Sequence, residues 1–176
     1  MEDIATDKKI KNGLNAGDTA VLDLLWNCHA EALLGYAQSI LCSKQDAEDA
    51  IHELFLKVAR NSKTVAAAEN LKSYLFRMTR NEAINIINKR KRENTVMASY
   101  NPWLTAGDNM PPDENEAREI EEALKALPEE QRTIVVLKIY EEMQFNEIAE
   151  ALEISQDTAA SRFRYGIQKL KKVLRR

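Results

Sequence analysis

FNEIAEALEISQDTAASRFRYGIQKLKK, Phe145 to Lys172, holds two helical patterns separated by three residues, Glu153-Ile154-Ser155. In the second pattern Ala159, Phe163, Ile167, Leu170 and Leu174 form one apolar stripe, which faces Ile148, Ala149 and Leu152 of the first. Ser155 is placed to cap the second helix by accepting a free N–H of its first turn. Small Ala149 allows the two helices to cross closely. Two short helices around a tight turn make a helix–turn–helix, whose second helix enters the major groove of DNA by its N-terminal end. The opposite face of that helix is basic, because Thr158 to Arg176 carries seven Lys or Arg and no acid. Gln156, Asp157, Ala160, Ser161 and Arg164 are placed for base edges, and Arg162, Lys169 and Lys171 for phosphates. A merely solvated basic helix is the plainer alternative; the turn and the paired stripes weigh against it.

That basic end belongs to a chain of net charge -3, so the charge is partitioned. Lys72 to Arg92 has seven basic residues against one acid, Glu82, whereas Asp113 to Glu130 has eight acids against two bases. Solvated faces usually mix signs, so this segregation points to two surfaces that meet polyanions. Only five Gly and four Pro occur among 176 residues. Runs rich in Ala, Leu, Glu, Lys and Arg favour helix, and no strand-like alternation is found. No run of about 18 apolar residues suggests a membrane span. The N-terminus, MEDIATDKKI, lacks a signal-peptide core, so no membrane insertion and a cytoplasmic location are expected. There is no phosphate-cradling Gly loop, no HExxH and no Ser/His/Asp cluster, which argues against an enzyme and against a cofactor. Cys28 and Cys42 lack CxxC spacing despite His29 and His52 nearby. Both thiols are expected to line a core, with no metal.

Upstream, Val21, Leu24, Leu25, Cys28, Ala32, Leu33, Tyr36 and Ile40 predict a first helix capped by Asp18. Ala47, Ile51, Leu54, Phe55 and Val58 predict a second, after a turn at Ser43. A third runs from Asn70 to about Lys89 and has apolar residues on two sides. ENTVMASYNPWLTAGDNMPP, residues 93–112, holds three of the four prolines and no helical period. It reads as a flexible linker, in which Trp103 docks on a domain or a partner. The expected fold is therefore all-α. A three-helix domain (1–92) and a helix–turn–helix domain (113–176) are joined by residues 93–112.

Three stretches together resemble the extracytoplasmic-function sigma factors of bacterial RNA polymerase. DAEDAIHELFLKVARN (Asp46–Asn61) resembles that family's polymerase-binding helix. LKSYLFRMTRNEAINIINKRKR (Leu71–Arg92) resembles its helix for melting and reading the minus-ten element. Leu127–Lys172 resembles its minus-thirty-five-binding domain. The resemblance implies that Asp46, Asp49 and Glu53, which share one helix face, meet the coiled-coil of the polymerase's largest subunit. Acids there also offset a helix dipole, and Glu53 is spaced to pair with Lys57. The resemblance assigns Lys72, Arg77, Arg80, Asn81, Lys89, Arg90, Lys91 and Arg92 to promoter DNA at the opening bubble. Tyr74 and Phe76 are spaced among them for stacking on an unpaired base, and core packing is the competing role for Tyr74. The loop from Asn61 to Asn70 corresponds to where the family holds a flipped base, and its Ala-rich stretch offers few side-chain donors. Three positions depart from the pattern. Ala59 stands where an aromatic is frequent, Glu153 where the turn has Gly, and Ala160 where a basic residue is common. At a positive φ, Glu153 would cost about 1 kcal/mol relative to Gly.

The function so implied is a sigma factor that directs core RNA polymerase to promoter DNA by binding minus-ten and minus-thirty-five elements. The family also implies a cognate anti-sigma factor as a partner, which no residue here identifies. The acidic stretch Asp113–Glu130 is expected to screen the basic helices before polymerase binds. Two rivals stand beside this reading. One is a helix–turn–helix regulator acting as a dimer without polymerase, which gives Asp46, Asp49 and Glu53 no role. The other is a degenerate sigma-like interaction protein, suggested by Ala59, Glu153 and Ala160.

Overall fold

The computed structural model describes residues 2–94 and 115–174. The proposed linker falls almost wholly outside these residues, Trp103 with it. Among the described residues all regular structure is α-helical. The first unit comprises α1 (Glu2–Ala16), α2 (Ala20–Leu41), α3 (Lys44–Arg60), α4 (Ser62–Ala66) and α5 (Leu71–Asn94). The second comprises α6 (Asn115–Lys125), α7 (Glu129–Ile139), α8 (Phe145–Leu152) and α9 (Gln156–Val173).

Helices α2, α3 and α5 form the core that the apolar patterns predict. Leu25, Leu33 and Tyr36 of α2 meet Ala47, Ile51, Leu54 and Val58 of α3, and Leu71, Leu75, Phe76 and Ala83 of α5, all of them buried. Tyr36 and Phe76 pack edge to face at 5.1 Å, a favoured arrangement for two ring quadrupoles. Ser43 caps α3, its hydroxyl accepting the Asp46 N–H. Helix α5 also packs on α8, which explains why its apolar residues do not form a single stripe.

Several expectations are corrected. A helix, α1, precedes the first predicted one; of its described side chains only Ile10 and Leu14 are buried apolar groups, too few to set a period. Asp18 is not the cap residue of α2. Thr19 holds that position, and Asp18 Oδ1 accepts the Ala20 N–H instead. Both cysteines are exposed rather than in a core. The buried line of α2 runs through Leu25, Leu33, Tyr36 and Ile40, and Cys28 lies off it. Cys42 follows the last helical residue at φ 52, beyond the regular repeat. The loop after α3 contains the single turn α4, pinned by fully buried Val65.

In the second unit α9 lies on α7 and α8. Its contact line is Ala159, Phe163 and Gly166, while Leu174 at the far end is exposed. Gly166 is where α9 comes closest to α7, since a Cβ there would lie 2.9 Å from Val135 Cγ2. Val135 is buried and β-branched, with little freedom to turn aside. We expect Gly166→Val to lower stability by about 2 kcal/mol through overpacking. The cost should shrink when Val135→Ala is added, and urea unfolding of the four proteins in this mutant cycle measures both effects.

Candidate nucleic-acid and protein interfaces

The helix–turn–helix is built by local chemistry. At the C-terminus of α8 the chain turns through Glu153 at φ 55, a left-handed residue usually supplied by Gly. Ser155 then caps α9, with its Oγ accepting the Thr158 N–H at 3.1 Å. Phe163 packs on Phe145 of α8 at 5.7 Å, which fixes the angle between the two helices. Gln156, Asp157, Arg164, Lys169 and Lys171 of α9 consequently face solvent. Ala160 and Ser161 are half-buried, and the Ser161 hydroxyl donates to the Thr158 carbonyl at 3.0 Å. Arg162 reaches back to Glu130 of α7 at 2.8 Å. Sequence reasoning missed Tyr165, which is 55% exposed beside Arg164. Its spacing of i+4 from Ser161 puts it on the outward face, a signal that was available.

The cations of α5 divide between two ends. Asn81, Lys89, Lys91 and Arg92 are exposed, and Arg80 is half-buried. Near the start of the helix the second unit engages its polar groups. Lys72 Nζ donates to the Glu141 carbonyl at 2.7 Å, and Ser73 Oγ to the Glu147 carbonyl at 3.2 Å. The Asn70 amide donates to Glu147 Oε1 at 3.0 Å, and Arg77 lies 3.6 Å from Glu153. Arg77 also stacks over Tyr74, 4.8 Å from the ring centroid. Phe76 is buried in the core, so the stacking role suggested for it does not fit this arrangement, whereas Tyr74 is half-buried. Burial at this junction raises the Glu141 carboxyl above its ordinary range, against the pull of Lys72 and His29. Burial also raises the Tyr36 hydroxyl, which has no hydrogen-bond partner among the described residues.

On α3 the three acids are not equivalent. Asp46 pairs with Arg90 of α5, so one residue assigned to polymerase holds one assigned to DNA. Asp49 is exposed and Glu53 half-buried, and neither makes an ion pair among the described residues. Lys57, the residue spaced to pair with Glu53, binds Glu82 of α5 at 2.7 Å instead. A groove of about 540 Å³ runs between α3 and α5, lined by Asp49, His52, Glu53 and Leu56 on one side and Asn85, Ile86 and Lys89 on the other. The α3 wall of the groove is acidic, and the α5 wall carries Lys89 and Arg90 beside Ile86.

Two family descriptions match the chain in order: Sigma-70 region 2 over residues 25–93, and Sigma-70 region 4 over residues 117–170. Among related proteins, the ECF RNA polymerase sigma factor SigL of Mycobacterium tuberculosis is 27% identical over 169 residues, covering 93% of this chain and 94% of SigL. SigV of Bacillus subtilis, an RNA polymerase sigma factor, is 26% identical over 76% of this chain and 79% of its own length. The fold is also that of CnrH, solved with the cytosolic domain of CnrY (TM-score 0.73, 18% identity, 96% of this chain and 97% of that one). It is likewise that of the Bartonella quintana sigma factor RpoE, solved with the anti-sigma factor NepR (TM-score 0.72, 21% identity, 87% and 96%). The chain belongs to the sigma-70 family, as an extracytoplasmic-function sigma factor of RNA polymerase.

Beneath the acidic rim, the Lys57–Glu82 pair joins α3 to α5. The Glu82 side chain is only 10% exposed, so it depends on Lys57 for its charge partner. Lys57→Met should strand that carboxylate and destabilise the protein by about 2 kcal/mol, whereas the double change with Glu82→Met should recover most of the loss. Thermal or urea unfolding of the three variants decides this.

Proposed function

We propose that this sigma factor brings core RNA polymerase to promoters through three surfaces and carries out no chemistry of its own. The α3 rim of Asp49 and Glu53, with Asp46 behind it, receives the coiled-coil of the polymerase's largest subunit. Helix α5, through Lys72, Arg77, Arg80, Asn81 and Lys89 to Arg92, holds the downstream element as its strands part, with the loop 61–70 taking a flipped base. Helix α9 reads the upstream element as duplex. Gln156, Asp157, Ala160, Ser161 and Arg164 approach bases there, and Arg162, Lys169 and Lys171 approach phosphates. Residues 1–92 and 113–176 act as the two domains, tethered by 93–112. The observation that carries the reading is the two-sided build of α9, small and apolar toward α7 and α8, cationic toward solvent.

An anti-sigma partner follows from the relatives, two of which were solved with such a protein or with a cytosolic domain. A cytoplasmic place of action agrees with the family, and no described helix is long and apolar enough to cross a membrane. Asp49 and Glu53, which make no ion pair among the described residues, favour this reading over a regulator that works without polymerase. Asp49→Ala with Glu53→Ala should cut capture of core polymerase at least tenfold in a pull-down, with binding to upstream duplex DNA unchanged. Wild-type protein that fails to capture polymerase at low salt would hand the case to the regulator.

Two ion pairs, one within the second unit and one between the units, bear on the resting state. Glu130, the last acid of the screening stretch, holds Arg162, and Glu153 lies against Arg77. In the free chain the acids of the second unit therefore cover cations intended for promoter phosphates. Exposed ion pairs of this kind contribute roughly 0.2–1 kcal/mol each, weak enough for promoter phosphates to displace. Changing Glu130 and Glu153 to Gln should raise DNA binding by the free chain several-fold and increase its radius of gyration in solution scattering. Unchanged values of both would dismiss the screening.

A further inference from the structure

The loop between α3 and α5 is clamped by a residue outside the matched regions. Helix α1 precedes residue 25, where the region 2 match begins, yet Ile10 and Leu14 are buried in the common core and α1 packs along α4. This packing brings Lys11, on the flank of the same helix, to the end of the loop. Its ammonium donates to the Ala68 carbonyl and to the Glu69 carbonyl, the latter at 3.4 Å. Neither carbonyl accepts an N–H in any turn or cap among the described residues. They lie between the end of α4 and the start of α5, where carbonyls lose their helical partners. One charged donor thus satisfies two acceptors that the loop itself leaves open.

The next residue, Asn70, carries this constraint into α5. Its Oδ1 accepts the Ser73 N–H at 2.9 Å and its carbonyl accepts the Tyr74 N–H, so the peptide planes before it set how α5 begins. One turn before Lys11, Asp7 of α1 lies 3.4 Å from His29 of α2, on the side of α1 that packs against α2. Helix α1 is therefore a strut that packs on the core and on α4, and reaches the end of the loop, past α4, through Lys11.

We infer that Lys11 is a positioning residue for promoter discrimination: it fixes the backbone of residues 67–70, and with it the shape of the loop that receives the flipped base. The inference rests on the base-holding role given to that loop above. The Ala-rich stretch from Val65 to Ala68 offers few side-chain donors, so selectivity there depends on where the backbone groups point. A mobile backbone would admit several bases alike. Lys11 itself touches no base; it acts through the two carbonyls.

Two measurements on the full chain test this, with Lys11→Ala and Lys11→Arg. Hydrogen exchange of the free protein reads the clamp directly. In Lys11→Ala the amides of Ala67, Ala68 and Ser73 should exchange about tenfold faster, those of Leu54 and Val58 should not change, and Lys11→Arg should restore protection. Transcription with reconstituted holoenzyme then reads the consequence, using a promoter selected by run-off and single-base variants of its downstream element. The output ratio of selected promoter to variant should fall at least threefold in Lys11→Ala and recover in Lys11→Arg, with polymerase capture equal in all three proteins. Unchanged exchange in Lys11→Ala overturns the clamp. Faster exchange with an unchanged ratio overturns the positioning role. A wild-type holoenzyme indifferent to every downstream base refutes the base-holding loop and Lys11's role with it, while the exchange data still decide the clamp.

Discussion

Helix α5 must be buried and available at once, and most of the structure follows from how that conflict is resolved. Leu71, Leu75, Phe76 and Ala83 are sealed against α2 and α3, which anchors the helix. The cations among and beyond them, from Lys72 to Arg92, cannot follow these residues into the core without losing water. They are left on the remaining surface, where a partner of opposite charge can reach them. Near the start of the helix that partner is the second unit, and along the middle Glu82 and Arg90 reach across to Lys57 and Asp46 of α3. One helix thereby links the core, the acidic groove and the junction between the units.

The ion pairs have a common form. Arg77 with Glu153 and Arg162 with Glu130 each join a cation proposed to contact DNA to an acid of the same chain. A single such pair in contact with water is weak. A polyanion that displaces several pairs at once gains more, because it also releases its own condensed counterions. Under the proposed DNA-binding role, such pairs would yield to promoter phosphates rather than block them. The packing is also imperfect inside: among the described residues the buried Tyr36 hydroxyl has no hydrogen-bond partner, and at the junction the Glu141 carboxyl is partly desolvated. A desolvated carboxyl weakens the contact between the units relative to a fully satisfied one.

Glu153 illustrates how a local rule can be broken for a longer-range contact. Its left-handed backbone would be less strained as Gly, but Gly would bring no carboxylate to Arg77. Gly166 is the complementary case. It gives no conformational freedom that α9 needs, and its role is to let α7 approach where any Cβ would meet Val135.

Much of this was legible in the chain. The stripes of α3, α8 and α9, the Ser43 and Ser155 caps and the three-part family pattern depend on neighbours within a turn or two, and such interactions are written in spacing. The segregation of charge was equally plain. Helix α1 was not, since the two buried apolar side chains among its described ones make no period until α4 and the core supply the other half of the contact. Nor was the exposure of Cys28, which depends on the rotation of α2 against two other helices. That Lys57 takes Glu82 rather than Glu53, that Asp46 takes Arg90, and that Lys11 reaches Ala68 depended on the tertiary structure, because each joins residues far apart in the chain whose distance no local pattern encodes. By itself, then, the sequence determined which helices form, which faces are apolar and which family they make; only the packed structure decided which charges are already spoken for and which remain for a partner.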